Sequence, residues 1–371
     1  MHPTIKPALR RSWRDRDTVQ YGVAPAHAVL LGPVDEPTGS FFDLLDGTRS
    51  MAQLREAAHV IGLGAATADR LVRQLSRAGL VDDVTAQRSV VSAAGERLRP
   101  DLGSLSVLHP EPGAAARILA ARRAARVQVR GAGRVGGTLA ALLSAAGVGT
   151  VETVDGGCVT AADTAPGGLR GDQVGERRDA ALRKVVRRVR PWARRPAAPP
   201  RAAGEDPGLV VFAPRDGLAA YAPDPEATRE LVRAGRPHLY TGVVEATGFV
   251  GPLVLPGVSA CAECALLERT VREPAWPLMV GQWRQARRTG AVACDGALAA
   301  VVAGATASLV LSFLDGDGAA QAGVRTSFVL PGLRREEEAV RPYSTCPCGA
   351  AAGGPGARTP SGSASPATVA S

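Results

Sequence analysis

A glycine-rich loop between an apolar strand and an apolar helix places the strongest constraint on the fold of this chain. The loop reads Gly131-Ala-Gly133-Arg-Val-Gly136, follows a predicted strand at 127–130 and opens a helix. In such a βα unit the first glycine permits a tight turn, the second lets the backbone approach a phosphate, and the third allows close packing of helix on strand. Free N–H groups at the helix N-terminus favour an anion. We therefore predict a Rossmann-like fold with nucleotide contacts at these three glycines.

An acidic residue follows the loop at a suitable distance. Asp155 ends the second predicted strand, 24 residues after Gly131. A carboxylate at this place typically accepts hydrogen bonds from the hydroxyls of a ribose. Asp155 therefore joins the three glycines as a candidate nucleotide-binding residue. The alternative is that the glycines only close a tight βα turn.

Strands and helices alternate between residues 121 and 350, which predicts an α/β domain with a mostly parallel sheet. Residues 1–85 differ, because two short strands within 18–32 precede three short helices, a pattern typical of a small winged-helix α+β domain. A polar, proline-containing segment at 86–120 is predicted to connect the two domains. Residues 351–371 are of low complexity and are predicted to be disordered.

Two cysteine pairs suit a metal site. Cys261 and Cys264 form a C-x-x-C pair, and Cys346 and Cys348 form a C-x-C pair. Four thiolates from two short loops match the ligand set of tetrahedral zinc, so we predict a structural zinc site. A redox-active C-x-x-C is the alternative, disfavoured because no thioredoxin-like strand–helix context surrounds Cys261.

Several features bear on the compartment. Six cysteines in 371 residues are too few for a disulfide scaffold, and we expect Cys158 and Cys294 to be small buried hydrophobic residues rather than nucleophiles. The segment 1–17 has no apolar h-region, so we expect a cytoplasmic protein. The uncharged stretch 296–314 is long enough to span a membrane. Its small residues and its lack of an aromatic belt favour a helix buried between protein layers, and no membrane partner is expected.

The net charge of +9 is concentrated in one region. Residues 113–201 carry 17 basic and 6 acidic side chains, an excess larger than that of the whole chain. A local patch of this kind attracts phosphate, nucleotide or an acidic peptide. Arg70, Arg73 and Arg77 share one face of a predicted helix, which leaves DNA binding as an alternative. A solvated charged face is favoured, because no base-reading residues accompany these arginines.

The central region resembles the ThiF/MoeB superfamily, the adenylyltransferases related to ubiquitin-activating enzymes. The resemblance covers roughly residues 115–350 and rests on four segments. They are GAGRVGGTLAALLSAAGVGTVETVDGG at 131–157, VGERR at 174–178, GPLVLPGVSACAEC at 251–264 and TCPCG at 345–349. The N-terminal unit resembles the PqqD-like recognition element that grips leader peptides, most closely in FFDLLDGTRSMAQL at 41–54. Together the two parts resemble the leader-peptide-binding partner of azoline-forming cyclodehydratases.

The resemblance implies an ATP site with defined side chains. In active members the glycine loop and a carboxylate at the Asp155 position bind ATP, an arginine of an Asn-Leu-x-Arg motif and a lysine hold phosphates, and an aspartate binds magnesium. Here Arg178 stands at the lysine position, and the segment ADTAP at 162–166 contains neither Asn nor Arg. Arg215 and Asp216 stand where the magnesium ligand is expected. Because those groups position and neutralise phosphates, we expect a non-catalytic or weakly catalytic site and assign no catalytic residue.

The favoured hypothesis is a degenerate ThiF-like protein that binds a precursor or leader peptide and presents it to a cyclodehydratase-type enzyme. The resemblance also implies a homodimer and ATP as a candidate ligand, and the cysteine pairs predict structural zinc. The alternative is an ATP-dependent adenylyltransferase that activates the C-terminal carboxylate of a ubiquitin-like or sulfur-carrier protein. A dinucleotide-dependent oxidoreductase is disfavoured, because no residue is found to supply the acid for hydride transfer.

Overall fold

The fold was derived from a computed structural model, which describes residues 1–192, 207–286 and 292–352. The described chain divides into two compact units, and the boundary between them falls within the helix Ala114–Ala124. The first unit contains Met1–Ala121 and residues 191–192, and the second contains the rest. The predicted disordered tail, 351–371, lies outside the described residues except for its first two.

The first unit begins with short strands and continues with helices. Its strands are β1 (Pro3–Ile5), β2 (Arg11–Trp13), β3 (Val19–Tyr21), β4 (Val29–Leu31) and β5 (Val81–Asp83). Its helices are α1 (Glu36–Leu44), α2 (Met51–Val60), α3 (Ala65–Arg77), α4 (Val84–Ala94), α5 (Arg99–Leu108) and α6 (Ala114–Ala124). Strands β2, β3 and β4 form an antiparallel sheet in that order, and β1 pairs with β5.

Two apolar clusters organise the first unit. Tyr21 of β3, Phe41 of α1 and Leu75 of α3 are buried in one cluster, which joins the three-stranded sheet to the first three helices. Leu102 of α5 and Trp192 are buried in the other, which is built from α4, α5 and α6. The segment 86–120, predicted as a connector, therefore lies largely in helices with a core of their own.

The second unit alternates strands and helices. Its strands are β6 (Arg126–Arg130), β7 (Thr150–Val154), β8 (Leu209–Phe212), β9 (His238–Val244), β10 (Thr247–Val254), β11 (Val324–Val329) and β12 (Arg334–Ala339). Its first helices are α7 (Arg134–Ala145), α8 (Arg178–Val189), α9 (Leu218–Tyr221) and α10 (Pro225–Arg233). The later ones are α11 (Ala262–Arg272), α12 (Trp276–Gln285) and α13 (Gly296–Asp315).

The strands of the second unit form one mixed sheet in the order β12-β11-β10-β9-β8-β6-β7 among the described residues. Strands β7, β6, β8 and β9 run parallel, and β10, β11 and β12 continue the sheet with antiparallel pairing. The predicted α/β class with a Rossmann-like sheet is confirmed. The antiparallel pair β11–β12 was not predicted, because the sequence of β12, RREEEA, is charged and exposed and has no apolar alternation.

Helix α13 packs on the sheet. Leu298, Val302 and Val310 are buried against α7, β9 and β10, and the side chain of Asp295 accepts hydrogen bonds from the first turn. Of the helices in the described ranges, α13 alone is long and apolar enough to cross a bilayer, with a mean hydropathy of 2.2. Because its apolar stripe contributes to the core, a packed core helix accounts for this composition.

Candidate functional site

The glycine loop lies at the carboxyl end of β6, where neighbouring parallel strands also end. Gly131 has a φ of 118°, and a Cβ atom there would overlap the carbonyl group of Ala213, which follows β8. A Cβ atom on Gly136 would overlap the carbonyl group of Gly131. These two glycines are therefore required by the packing of the loop and of α7, whether or not a nucleotide binds.

The second glycine has a different neighbour. A Cβ atom on Gly133 would lie 3.0 Å from Cγ of Arg215, so the Arg215 side chain lies against the loop. This is the part of the loop where the sequence predicts that a phosphate approaches.

Asp155 is engaged by the protein itself. Its Oδ2 accepts a hydrogen bond of 2.6 Å from the backbone N–H of Ala132, and its Oδ1 accepts one of 3.0 Å from Nε of Arg178. The side chains of Asp155 and Arg178 are each 12% exposed. Both carboxylate oxygens therefore already have donors, and the predicted contact of Asp155 with a ribose stays a prediction.

Arg178 fastens the loop that follows β7. Its Nη1 donates a hydrogen bond of 2.6 Å to the carbonyl oxygen of Cys158, and its Nη2 donates to the carbonyl oxygen of Gly156. Together with the bond to Asp155, these contacts use every nitrogen of the guanidinium group. The predicted role of Arg178 as a phosphate ligand would require it to leave these partners.

Asp163 was not identified from the sequence. Its side chain is buried, and its Oδ2 accepts hydrogen bonds of 2.8 Å from the backbone N–H and from the hydroxyl of Thr160. Its Oδ1 pairs with Nε of Arg215, and Nη1 of Arg178 lies 3.7 Å from Oδ2. The four side chains Asp155, Arg178, Asp163 and Arg215 thus form a continuous charge chain beside the glycine loop.

The charge chain occupies the position at which a magnesium ligand is expected. Arg215 faces Asp163, and its Nη2 also lies 3.2 Å from the hydroxyl of Thr160. Asp216 accepts a hydrogen bond of 3.1 Å from the backbone N–H of Leu218 and so lies at the start of α9. A cation at the first position, and at the second a carboxylate that accepts a backbone hydrogen bond, differ from the acidic site that magnesium requires.

A cavity of about 490 Å³ opens beside the glycine loop. Gly131, Asp155 and Arg215 line one side of it, and Phe212 of β8 lines another. The guanidinium group of Arg130 lies 5.3 Å from the centre of the Phe212 ring. This volume lies where doubly wound sheets bind ligands, outside the carboxyl ends of the parallel strands.

The charge chain predicts a pH-dependent stability. Burial raises the pKa of Asp163, but hydrogen bonds from Thr160 and Arg215 outweigh it and hold that pKa below its ordinary value of 3.8. Because the folded state binds this proton less tightly than the unfolded state, the stabilisation is complete above about pH 4 and is lost as the pH falls through the folded pKa. We expect Asp163→Asn to lower the free energy of unfolding by about 1–3 kcal/mol at pH 7, and by less at pH 3.

Urea unfolding at the two pH values measures this difference. Asp172→Asn is the matched control, because Asp172 forms an exposed pair with Arg170 and should change stability by less than about 0.5 kcal/mol. An equal loss at both pH values for Asp163→Asn would show that its ionised form does not stabilise the fold.

The four paired cysteines converge at a second place. The sulfur atoms of Cys261, Cys264, Cys346 and Cys348 all lie within 4.8 Å of one another. The Cys261–Cys264, Cys261–Cys346 and Cys264–Cys348 separations are 3.9, 3.6 and 3.5 Å. Zinc–sulfur bonds of about 2.3 Å in a tetrahedron give sulfur–sulfur edges of about 3.8 Å, so the cluster has the dimensions of a zinc site.

Burial and the neighbouring thiols shift the pKa values within the cluster in opposite directions. The hydrogen bond from the Cys261 thiol, aided by the backbone N–H of Tyr343, outweighs burial and lowers the pKa of Cys264 to about 5. Burial raises the pKa of Cys346 to about 12. Zinc binds cysteine as thiolate, so metal binding at this cluster would release protons and would depend on pH.

The two remaining cysteines differ from each other. Cys294 is half-buried, but Cys158 is exposed, so the predicted burial of Cys158 is wrong. Cys158 lies in the polar loop after β7, where its backbone forms a bridge with Arg177 and its side chain has no apolar core to enter.

Comparison with protein families identifies the chain. The sequence model of the ThiF family matches residues 113–348, which is more than half of the chain. The chain belongs to the ThiF family. No curated protein matches it at a significant level.

Several solved structures share the fold of this ThiF-family chain. E. coli MccB with succinimide superposes with a TM-score of 0.68 at 14% identity, over 94% of this chain and 99% of that one. E. coli MccB with AMPCPP and MccA superposes with a TM-score of 0.68 at 13% identity, over 94% of this chain and 100% of that one. The heterocyclase TruD superposes with a TM-score of 0.61 at 17% identity, over 94% of this chain and 43% of that one. At these identities the likeness shows a shared fold.

Proposed function

We propose that this ThiF-family protein binds a precursor or leader peptide and presents it to a cyclodehydratase-type modifying enzyme, while its own adenylation site is degenerate. The observation that carries the proposal is the charge chain of Asp155, Arg178, Asp163 and Arg215, because its groups bind one another beside the glycine loop.

The signs of two charges support a degenerate site. The segment that holds an arginine in active relatives contributes Asp163 here, and the place of the magnesium-binding aspartate is taken by Arg215. The two residues form an ion pair, so the exchange preserves a contact and removes a phosphate ligand and a metal ligand. Both losses should slow phosphoryl chemistry, which depends on positioning and on neutralising charge.

The first unit offers an edge for a peptide strand. β4 lies at one edge of the sheet β2-β3-β4, and the side chain of Leu30 at its centre is 49% exposed. An exposed apolar edge strand is a template for a further strand, which is a recurrent mode of peptide recognition. We propose that residues 1–85 form a PqqD-like winged-helix element and that a peptide adds to β4.

Fluorescence polarisation with labelled candidate precursor peptides tests peptide binding. We expect saturable binding by the full chain, and we expect Leu30→Asp to weaken it at least about tenfold because a buried charge would meet the added strand. Val60→Asp is the matched control, since Val60 is an exposed apolar residue of α2 outside the sheet. Absence of binding by every peptide, or equal losses in both variants, would contradict the proposal.

The proposal also includes a structural zinc site. The cluster of Cys261, Cys264, Cys346 and Cys348 would hold structural zinc, which would fasten the chain after β12 to the start of α11. A homodimer, the cyclodehydratase partner and a cytoplasmic location are parts of the same proposal.

The second candidate function is ATP-dependent adenylation of a C-terminal carboxylate. It is favoured by one observation, the cavity of about 490 Å³ beside the glycine loop, which leaves space for a ligand. In that case a small carrier protein ending in Gly-Gly would be the substrate to test.

A further inference from the structure

A second cavity, of about 250 Å³, lies between α11, α12 and the β11–β12 pair. Leu266 of α11 and Trp276 and Val280 of α12 give it apolar walls. The loop before α10 also borders it. Asp224 of this loop and Arg284 of α12 line both this cavity and the one beside the glycine loop. The two cavities are therefore neighbours on the same unit.

A buried arginine lines this cavity. The Arg325 side chain is 8% exposed, its guanidinium group lies 4.5 Å from the centre of the Tyr221 ring, and its Nη2 donates a hydrogen bond of 2.9 Å to the Tyr221 carbonyl oxygen. Its Nε is buried and has no hydrogen-bond partner among the described residues. Buried charges normally have close partners, so the unpaired Nε leaves the guanidinium group of Arg325 incompletely satisfied.

The carboxylate nearest to Arg325 is shared. Oε2 of Glu338 lies 3.4 Å from Nη1 of Arg325, and Oε1 of the same residue lies 3.7 Å from Nη1 of Arg269. Both separations exceed the 2.7–2.9 Å or so of a charge-assisted hydrogen bond. One partly exposed carboxylate thus serves two guanidinium groups, and each of them keeps the capacity to bind another.

The lining of the cavity carries one more arginine than carboxylates, because four arginines face Asp224, Glu268 and Glu338. Arg272 pairs with Glu268, and Arg284 donates a hydrogen bond of 2.6 Å to the carbonyl oxygen of Ala222. Arg269 stacks on Trp276, with its guanidinium carbon 4.6 Å from the ring centre. The lining therefore combines a planar cation on an aromatic wall with apolar side chains.

We propose that this cavity binds the carboxylate side chain of an Asp or Glu residue within a peptide, with a neighbouring apolar residue against Trp276 and Val280. The guanidinium fork of Arg269 matches a carboxylate, and Arg325 supplies a second positive charge beneath it. The volume suits a side chain and its neighbour rather than a whole folded partner. The inference rests on the proposed function only in taking the ligand to be a peptide.

Fluorine NMR of the full chain labelled with 5-fluorotryptophan tests this site, because its four tryptophans give separate resonances that single Trp→Phe variants assign. The probes are Ac-Leu-Glu-Leu-NH₂ and its isostere Ac-Leu-Gln-Leu-NH₂. We expect the glutamate peptide to shift the Trp276 resonance saturably at millimolar concentration, and the glutamine peptide to bind at least about tenfold more weakly. The resonances of Trp13 and Trp192 should not move.

Arg269→Ala should weaken binding of the glutamate peptide at least about tenfold. Arg183→Ala is the matched control, because Arg183 is an exposed arginine of α8 in an ion pair with Asp179 and should leave binding unchanged. Unshifted Trp13 and Trp192 resonances and an unchanged thermal midpoint would show that Arg269→Ala remains folded.

Three results would overturn the inference. They are equal binding of the two peptides, unchanged binding by Arg269→Ala, and an equal Trp276 shift with sodium phosphate, which would indicate a site for any anion. The outcome is separable from the proposed function, because Leu30→Asp acts on precursor binding at β4. If the glutamate peptide bound at Trp276 while no precursor bound, the proposed function would fail and this inference would stand.

Discussion

Replacing Cys264 with serine is expected to abolish zinc binding and to unfold much of the second unit at ordinary temperature. Cys264 is one of the four members of the cluster, with sulfur contacts to both Cys261 and Cys348. Structural zinc sites contribute on the order of 10 kcal/mol to folding, so loss of one ligand should exceed the effect of most core substitutions. Metal analysis by mass spectrometry and thermal unfolding of the purified chain measure the two effects.

Cys158→Ser is the matched control for this substitution. Cys158 is exposed and lies outside the cluster, so its replacement should change neither the zinc content nor the thermal midpoint. Stoichiometric zinc in Cys264→Ser, or a zinc-free wild-type chain with the same midpoint as the zinc-loaded one, would contradict a structural metal site.

Replacing Arg122 with alanine is expected to lower the free energy of unfolding by about 3–5 kcal/mol. Arg122 and Asp315 form a two-fold contact, Nε to Oδ1 at 2.8 Å and Nη2 to Oδ2 at 2.5 Å. Their side chains are only 6% and 5% exposed. The loss is large because alanine leaves the Asp315 carboxylate buried without its cation at the end of α13.

The double variant Arg122→Met with Asp315→Leu separates the effect of the unpaired Asp315 carboxylate from the effect of lost packing. Replacing both charges by apolar side chains removes the unpaired carboxylate, so we expect the double variant to recover most of the stability lost in Arg122→Ala. Chemical unfolding of the three proteins gives the comparison. If the double variant were as unstable as the single one, the buried charge would not be the cause of the loss.

Local signals in the sequence were sufficient for the glycine loop. The apolar strand before Gly131, the spacing to Gly136 and the acidic residue at the end of the next strand are all encoded within 30 residues or so. The cysteine pairs were equally local, and their residue type left few ways to combine them. The strand and the glycine spacing predict the α/β class. The two cysteine pairs predict one shared site, and the structure places their sulfur atoms together.

Contacts between distant residues could not be predicted in the same way. Arg215 and Asp163 are 52 positions apart, and no pattern in either segment indicates that they pair. For the same reason the sequence predicts a phosphate contact for Arg178, whereas in the structure Arg178 binds Asp155 and two backbone carbonyl groups. The exposed strand β12 was missed because a charged strand at a sheet edge has the composition of a loop.

Pyrophosphate exchange into ATP is the most direct measurement of whether the cleft beside the glycine loop performs adenylation. The full chain is incubated with ATP, magnesium and labelled pyrophosphate, with and without the precursor peptides that bind it. Because Asp155, Arg178, Asp163 and Arg215 bind one another, we expect no label in ATP above the protein-free control in either condition. Peptide-dependent incorporation of label would show that the charge chain opens and that the site is catalytic.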